Sequence, residues 1–351
     1  MTVPMHFQPL FSDSLSSDFP LILAGPCSAE SREQLLATAR LLAENGIRLF
    51  RAGVWKPRTH PNDFEGVGSI GLTWLQEVKQ ETGMLTATEI ATAEHVEKAL
   101  HAGIDVLWIG ARTTTSPFSV QQIADALKGT DAAVLVKNPV ISDVDLWIGA
   151  IERLYRAGIK RLGAVHRGFD GSVRYRNAPL WHIPLQLRQR LPSLPLFGDP
   201  SHIAGRRSLV AAIAQQAMDL HFNGLMIECH INPQEALSDA EQQITPQELS
   251  VLLAELTVRK TGCITDGLAA LRQQIDDCDS VLLATLVKRL RIAQAIGNYK
   301  QVNNLSVLQP ERFEEMLKSR LLEADALGLR EHFIQTIFET IHEESVRTQL
   351  Q

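Results

Sequence analysis

Eight short apolar, β-branched runs, spaced through the first three-quarters of the chain, leave it few folds to choose from. They are LILAGPC from Leu21, IRLFRAG from Ile47, MLTATEI from Met84, VLWIGAR from Val106, AAVLVKN from Ala132, RLGAVHRG from Arg161, LPLFGDPSH from Leu194 and GLMIECH from Gly224. Segments of helical period lie between them. In SREQLLATARLLAENG, for example, Leu35, Leu36, Ala39, Leu42 and Ala43 form one stripe, and Gly46 is placed to end the helix. Apolar strands alternating with amphipathic helices call for a parallel sheet covered on its faces. Eight such units point to a closed (β/α)8 barrel over residues 1–257. A doubly wound open sheet is the competitor, and the number of units decides against it.

At 351 residues with 45% hydrophobic content, the chain can bury a large core and a second, smaller domain. A net charge of −6 gives no reason to expect nucleic acid. No segment reaches the ~20 apolar residues that span a bilayer, and the first residues lack the pattern of a signal peptide. A cytoplasmic location and no membrane partner are therefore expected. The four cysteines, Cys27, Cys229, Cys263 and Cys278, form no CxxC pair, so reduced thiols are expected.

Polar residues recur at the C-terminal ends of the eight runs: Cys27, Arg51, Glu89, Arg112, Lys137, Arg167, His202 and Glu228. In a TIM barrel that rim carries the catalytic groups. Any one of them alone has a bland reading as a surface or loop residue; eight in one register do not. Arg51, Arg112, Lys137 and Arg167, with Lys56 and Arg58 just beyond, crowd positive charge into one mouth, which suits phosphorylated or carboxylated substrates. Cys27, His202, Glu228 and Asp239 form a second constellation. Three of these follow the first, seventh and eighth runs, which become neighbours when a barrel closes. A thiolate, an imidazole and two carboxylates suit a divalent manganese, iron, cobalt or zinc ion better than calcium or magnesium.

Taken together, GPCS at Gly25–Ser28, RAGVWKPRT at Arg51–Thr59, IGAR at Ile109–Arg112, LVKNP at Leu135–Pro139, HRG at His166–Gly168, DPSH at Asp199–His202 and SDAEQQ at Ser238–Gln243 resemble the type I beta 3-deoxy-D-arabino-heptulosonate 7-phosphate (DAHP) synthases. The resemblance runs from about Leu21 to Lys260. It implies metal-dependent condensation of phosphoenolpyruvate with erythrose 4-phosphate. By that likeness Arg112 and Arg167, with Gly110 and Ala111, meet the phosphate of phosphoenolpyruvate, while Arg51, Lys56 and Lys137 surround its carboxylate and reacting end. Lys56, Pro57, Arg58 and Thr59 face the aldose phosphate, and Lys56 is the candidate proton donor. Cys27, His202, Glu228 and Asp239 match the metal ligands, with manganese the first choice. The related octulosonate synthases share some of these motifs, and the KPRT element separates the two. A Schiff-base role for Lys137 is a third reading that the metal set makes unnecessary. About twenty residues before Leu21 are too few for a regulatory domain.

After KTGCITDG, within a linker over 258–266, strand-like runs stop. From Leu268 to Tyr299 apolar residues recur at three-and-four spacing, Pro310 opens a second helix and Gly328 separates a third, so residues 267–351 read as a small all-α domain. Arg289 and Lys300 share a helix face within ~20°, whereas Arg272 lies ~100° away and could serve another protomer. This arrangement resembles the all-helical chorismate mutases, whose intertwined dimers share sites. The resemblance implies a homodimer and makes chorismate and prephenate ligands of Arg272 (from the partner), Arg289, Lys300, Arg312, Ser345 and Gln349. Arg289, Lys300 and Gln349 would be catalytic. Phe313 stands where many relatives carry a glutamate that meets the substrate hydroxyl. Feedback by prephenate or chorismate through this domain is expected. The alternative is a helical tail that senses and dimerises without catalysing.

Overall fold

The computed structural model describes residues 5–11, 19–57, 63–171, 174–259 and 266–350. Two compact units result, Met1–Arg259 and Lys260–Gln351. Most of the expected linker, 260–265, and with it Cys263, lies outside the described residues.

The first unit is a closed barrel of parallel strands in chain order: β1 (Leu21–Gly25), β2 (Leu49–Arg51), β3 (Leu85–Ile90), β4 (Val106–Ile109), β5 (Ala133–Lys137), β6 (Leu162–His166), β7 (Leu196–Gly198) and β8 (Gly224–Glu228). The ring closes where β1 pairs with β8, from Leu21 against Gly224 to Gly25 against Glu228. Each of the eight apolar runs supplies one strand, and the open-sheet competitor is excluded.

Strand side chains alternate between faces. Leu23, Leu49, Ala87, Val106, Trp108, Ala133, Leu135, Val165, Phe197 and Met226 fill the barrel interior, together with Leu10 and Phe11. The intervening residues, such as Phe50, Leu107, Val134, Val136, Leu225 and Ile227, pack outward against helical residues including Leu35, Leu36, Ala39, Leu42, Trp147 and Ile151. Arg161, just before β6, donates to the Leu10 carbonyl at 2.6 Å, which sets Leu10 at the end of the barrel opposite the strand C-termini. Carrying the inward parity to the other end gives Gly25, Arg51, Glu89, Gly110, Lys137, Arg167, Asp199 and Glu228. One face of each strand thus supplies both the core and the mouth.

The surrounding helices start on local side-chain caps: Ser31 accepts from the Gln34 amide, Thr92 from His95, Ser116 from Ser119 and Asp143 from Leu146. Thr245 and Glu248 form a reciprocal capping box on the helix Pro246–Glu255.

The second unit consists, among the described residues, of helices Asp266–Val302, Pro310–Ala326 and Glu331–Gln349. The first has 37 residues, about 55 Å at 1.5 Å per residue, somewhat longer than the periodicity alone marks out. It packs along the third, and a Cβ at Gly297 would lie 2.8 Å from the Gln349 Cα. Toward its N-terminal half Leu271, Ile275 and Leu282 stay about 60% exposed within the unit.

Candidate active sites

At the barrel mouth Cys27, two residues beyond β1, Glu228 at the end of β8 and Asp239 in the following loop bring their ligand atoms within 4.8 Å of one another. Cys27 Sγ lies 3.3 Å from Asp239 Oδ2. His202 Nε2 sits 3.7 Å from Glu228 Oε1 and 3.9 Å from Asp239 Oδ2, while its Nδ1 is 2.8 Å from Asp199 Oδ2. Asp199 also caps the short helix that carries His202, accepting from the His202 amide at 3.1 Å. The imidazole is thereby turned with Nε2 toward the cluster.

The electrostatics fit a cation. Burial, with Glu228 nearby, pushes the Cys27 thiol up to about 12, so a thiolate there needs a positive partner. Burial opposes the charge of Glu228 and Asp239, yet His202 helps hold both carboxyls below the usual range, joined by Arg51 at Glu228 and by Arg176 at Asp239. Burial keeps His202 low, favouring the neutral ring that a ligand must be. Glu228 Oε1, in a side chain with no exposure, has no hydrogen-bond partner; Arg51 Nη2 at 3.4 Å is its near cation. Such an orphaned buried oxygen beside a sulfur, an imidazole and a second carboxylate is a donor set that could hold a metal ion.

Beside this cluster opens a cavity of about 240 Å³ whose wall includes Lys56, Pro57, Glu89, Gly110, Ala111, Arg112, Lys137, Arg167, Arg176, His202 and Asp239. Lys137 Nζ pairs with Asp199 Oδ2 at 2.8 Å. Burial would raise the Asp199 carboxyl, but His202 and Lys137 outweigh it and keep it well below its ordinary value. Arg167 is aimed by Asn177 Oδ1, 2.9 Å from its Nη1, and its backbone amide donates to Asn138 at 2.7 Å. Burial opposes the Lys56 charge; Cys27, Glu89 and Glu228 outweigh it, and Lys56 Nζ donates to the Cys27 carbonyl at 3.1 Å. A Cβ on Gly110 would come 2.1 Å from Glu89 Oε1, so a larger residue there would make the Glu89 carboxylate shift.

Arg51, at the end of β2, is 1% exposed, with its guanidinium 4.8 Å from the Trp108 ring, 3.2 Å from the Cys27 carbonyl and 3.4 Å from Glu228. Arg58 and Thr59 lie outside the described residues. The sequence reading missed Arg176, 3.1 Å from Asp239 and 2.6 Å from Gln242, and gave no role to Asp199 or to Gln242, whose Nε2 meets Glu228 at 2.5 Å. Strand parity could have found Asp199, two positions beyond Phe197. The loop residues Arg176 and Gln242 carry no periodic signal.

In the helical unit a cavity of about 280 Å³ is walled by Arg289, Lys300, Gln309, Arg312, Phe313, His342, Ser345 and Gln349 together with apolar residues such as Ile296 and Val346. Arg289 is held by the Ser345 hydroxyl and the Ile341 carbonyl, and Lys300, 8% exposed, donates to the Val307 carbonyl at 2.7 Å. Phe313 stacks on His342 with ring centres 4.0 Å apart, and Gln349 Oε1 is buried without a partner. Arg272 is absent from this wall. It lies seventeen residues before Arg289 on the same helix, about 25 Å away along the axis.

Comparison with known proteins matches residues 16–261 to the DAHP synthetase I family and residues 271–350 to chorismate mutase type II. A phospho-2-dehydro-3-deoxyheptonate aldolase of Thermotoga maritima is 31% identical over 235 residues, covering 67% of this chain and 68% of that protein. A 2-dehydro-3-deoxyphosphooctonate aldolase of Wolinella succinogenes is 28% identical over 265 residues, covering 67% of this chain and 97% of that protein. Among solved structures, the Thermotoga maritima DAHP synthase superposes with a TM-score of 0.61 at 30% identity, covering 67% of each chain. A truncated form of the synthase from the same organism gives 0.59 at 28% identity, over 67% of this chain and 84% of that one. The chain therefore belongs to the DAHP synthetase I family, its barrel followed by a chorismate mutase type II domain.

Proposed function

We propose that the barrel condenses phosphoenolpyruvate with erythrose 4-phosphate, releasing phosphate, and that the helical unit rearranges chorismate to prephenate. The observation that carries the first part is the meeting, in one mouth, of the Cys27–Glu228–Asp239 cluster with a cavity walled by Lys56, Arg112, Lys137, Arg167 and Arg176. Arg112 and Arg167 take the phosphate of phosphoenolpyruvate. Lys137, fixed by Asp199, and Arg51, which also contacts Glu228 and the Cys27 carbonyl, face its carboxylate and reacting end. Cys27, His202, Glu228 and Asp239 would hold the divalent metal, manganese, iron, cobalt or zinc. When bound, it supplies Lewis acidity toward the aldehyde oxygen of the aldose. The alkene carbon of phosphoenolpyruvate bonds to the aldehyde carbon, and water adds at C2. Lys56, tethered to the Cys27 carbonyl, gives a proton to the new alkoxide. Pro57, Arg58 and Thr59 complete the aldose side.

In the helical unit Arg289 meets a carboxylate of chorismate and Arg312 and Ser345 add further contacts, while Lys300 and Gln349 donate to the ether oxygen as its bond to carbon breaks. No cofactor is needed, only a folded conformer and donors aimed at developing charge. Arg272 reaches the site from a second copy of the chain. The exposed Leu271, Ile275 and Leu282 on the same helix support such a dimer.

Prephenate or chorismate bound there inhibits the condensation. A coupling of about 1–3 kcal/mol suffices for a roughly 5- to 150-fold effect, and it must act in both directions. Arg289→Ala in the intact protein tests the arrangement: loss of mutase activity and of inhibition by prephenate, with condensation retained, is expected. If the parent binds chorismate without converting it, the helical unit is a sensor and not a catalyst.

A further inference from the structure

We propose that Glu30 is a positioning residue for the metal-binding cluster: it fixes the turn that presents Asp239 to Cys27. The inference rests on reading Cys27, Glu228 and Asp239 as metal ligands. Glu30, in the loop after β1, and His230, two residues beyond β8, have side chains only 8% and 3% exposed. A carboxylate that deep is costly unless its oxygens are engaged. Glu30 Oε1 accepts from the Leu237 amide at 2.9 Å, and Oε2 faces His230 Nε2 at 3.5 Å. His230 Nδ1 accepts from the Asn232 amide at 2.9 Å, which leaves the proton of the neutral ring on Nε2, toward Glu30.

Leu237 is two residues before Asp239, whose φ of +51 is left-handed, a conformation uncommon outside glycine though among those aspartate adopts most readily. The holding bonds run between the loops after β1 and β8. Ser28 bonds Ser238 through their hydroxyls, the Cys27 amide donates to Gln243 Oε1 at 3.0 Å, and Gln243 Nε2 donates to the Ser238 carbonyl at 2.8 Å. Glu30 is the charged member of this clasp. By pinning the Leu237 amide it sets where the Asp239 carboxylate stands relative to Cys27 Sγ, 3.3 Å away. Partners that hydrogen-bond a metal ligand directly change affinity by about 10- to 100-fold; Glu30 acts one step further out, through the backbone before Asp239, so the lower end of that range is expected.

The test is Mn2+ binding to the metal-stripped full chain, measured by chelator competition, with the thermal midpoint of the metal-free protein followed in parallel. Glu30→Ala should weaken binding tenfold or more, whereas Glu30→Gln, which keeps an oxygen for the Leu237 amide, should remain within about threefold of the parent. Leu237→Pro removes the donor from the other side. Its exposed side chain and the extended Ala236 (φ −62, ψ 132) suit proline, so it should weaken binding like Glu30→Ala even if the latter folds poorly. Parental affinity in folded Glu30→Ala or in Leu237→Pro overturns the proposal, as does Glu30→Gln binding as weakly as Glu30→Ala. A parent chain that binds no Mn2+ instead overturns the metal reading beneath it.

Discussion

Gly297→Ala should damage the mutase with little cost in folding. The new Cβ would lie 2.8 Å from Gln349 Cα and 2.9 Å from its carbonyl oxygen, both backbone atoms that cannot swing aside. Restoring a carbon–carbon separation of about 3.5–4.0 Å requires the third helix to retreat by about 0.7–1.2 Å. Overpacking of this kind costs about 1–3 kcal/mol, and replacing glycine with alanine inside a helix returns about 1 kcal/mol. The helical unit should therefore fold, less stable by about 0–2 kcal/mol. Gln349, however, moves by a distance that matters for a donor aimed at a breaking bond, where a misplacement of about 1 Å costs on the order of 100-fold. We expect kcat/KM for chorismate to fall by about 10- to 100-fold while condensation by the barrel is unchanged. A mutase rate within twofold of the parent would refute the placing of Gln349 in the reaction.

Burial pushes His166 down to about 3, with the Pro179 carbonyl opposing in part. Below its ordinary pKa of about 6.5 the unfolded chain binds the proton that the folded chain refuses, so stability is intact above that pH and falls as pH drops from about 6.5 toward 3, by at most about 1.4 kcal/mol per unit. Denaturant titrations of His166→Phe should show a correspondingly flatter dependence across that window; an identical slope would mean the ring is not buried neutral. With arabinose 5-phosphate in place of erythrose 4-phosphate the chain should turn over much more slowly, and equal rates would remove the specificity assigned to the KPRT segment.

The barrel was legible because its strands are buried on both faces and so appear as continuous apolar runs. The strand parity that packs Ala133 and Leu135 also delivers Lys137 to the mouth. The grouping of Cys27, His202 and Glu228 was legible from barrel closure, which makes the first, seventh and eighth runs neighbours; Asp239, in the loop after β8, was joined to them by motif likeness. A sequence shows which end of a strand Arg51 occupies but not its depth; the structure buries it with its guanidinium over Trp108 and beside Glu228. Arg176 and Glu30 were invisible for another reason, acting through tertiary contacts with Asp239 and Leu237 that no local pattern encodes. In the helical unit, the three-and-four spacing gave the helices, and eleven-residue spacing put Arg289 and Lys300 on one wall. Arg272, seventeen residues before Arg289 on the same helix, lies outside that wall.

Condensation of phosphoenolpyruvate with erythrose 4-phosphate and rearrangement of chorismate, measured on one preparation before and after exhaustive chelation with metal content verified, test the central claim most directly. Only the barrel gathers metal-ligating side chains among the described residues. Chelation should abolish the condensation, added Mn2+ should restore it, and the mutase rate should not change. Full condensation by metal-free protein, or a mutase rate that falls with the metal, would contradict an account in which one chain carries a metal-dependent synthase and a cofactor-free mutase.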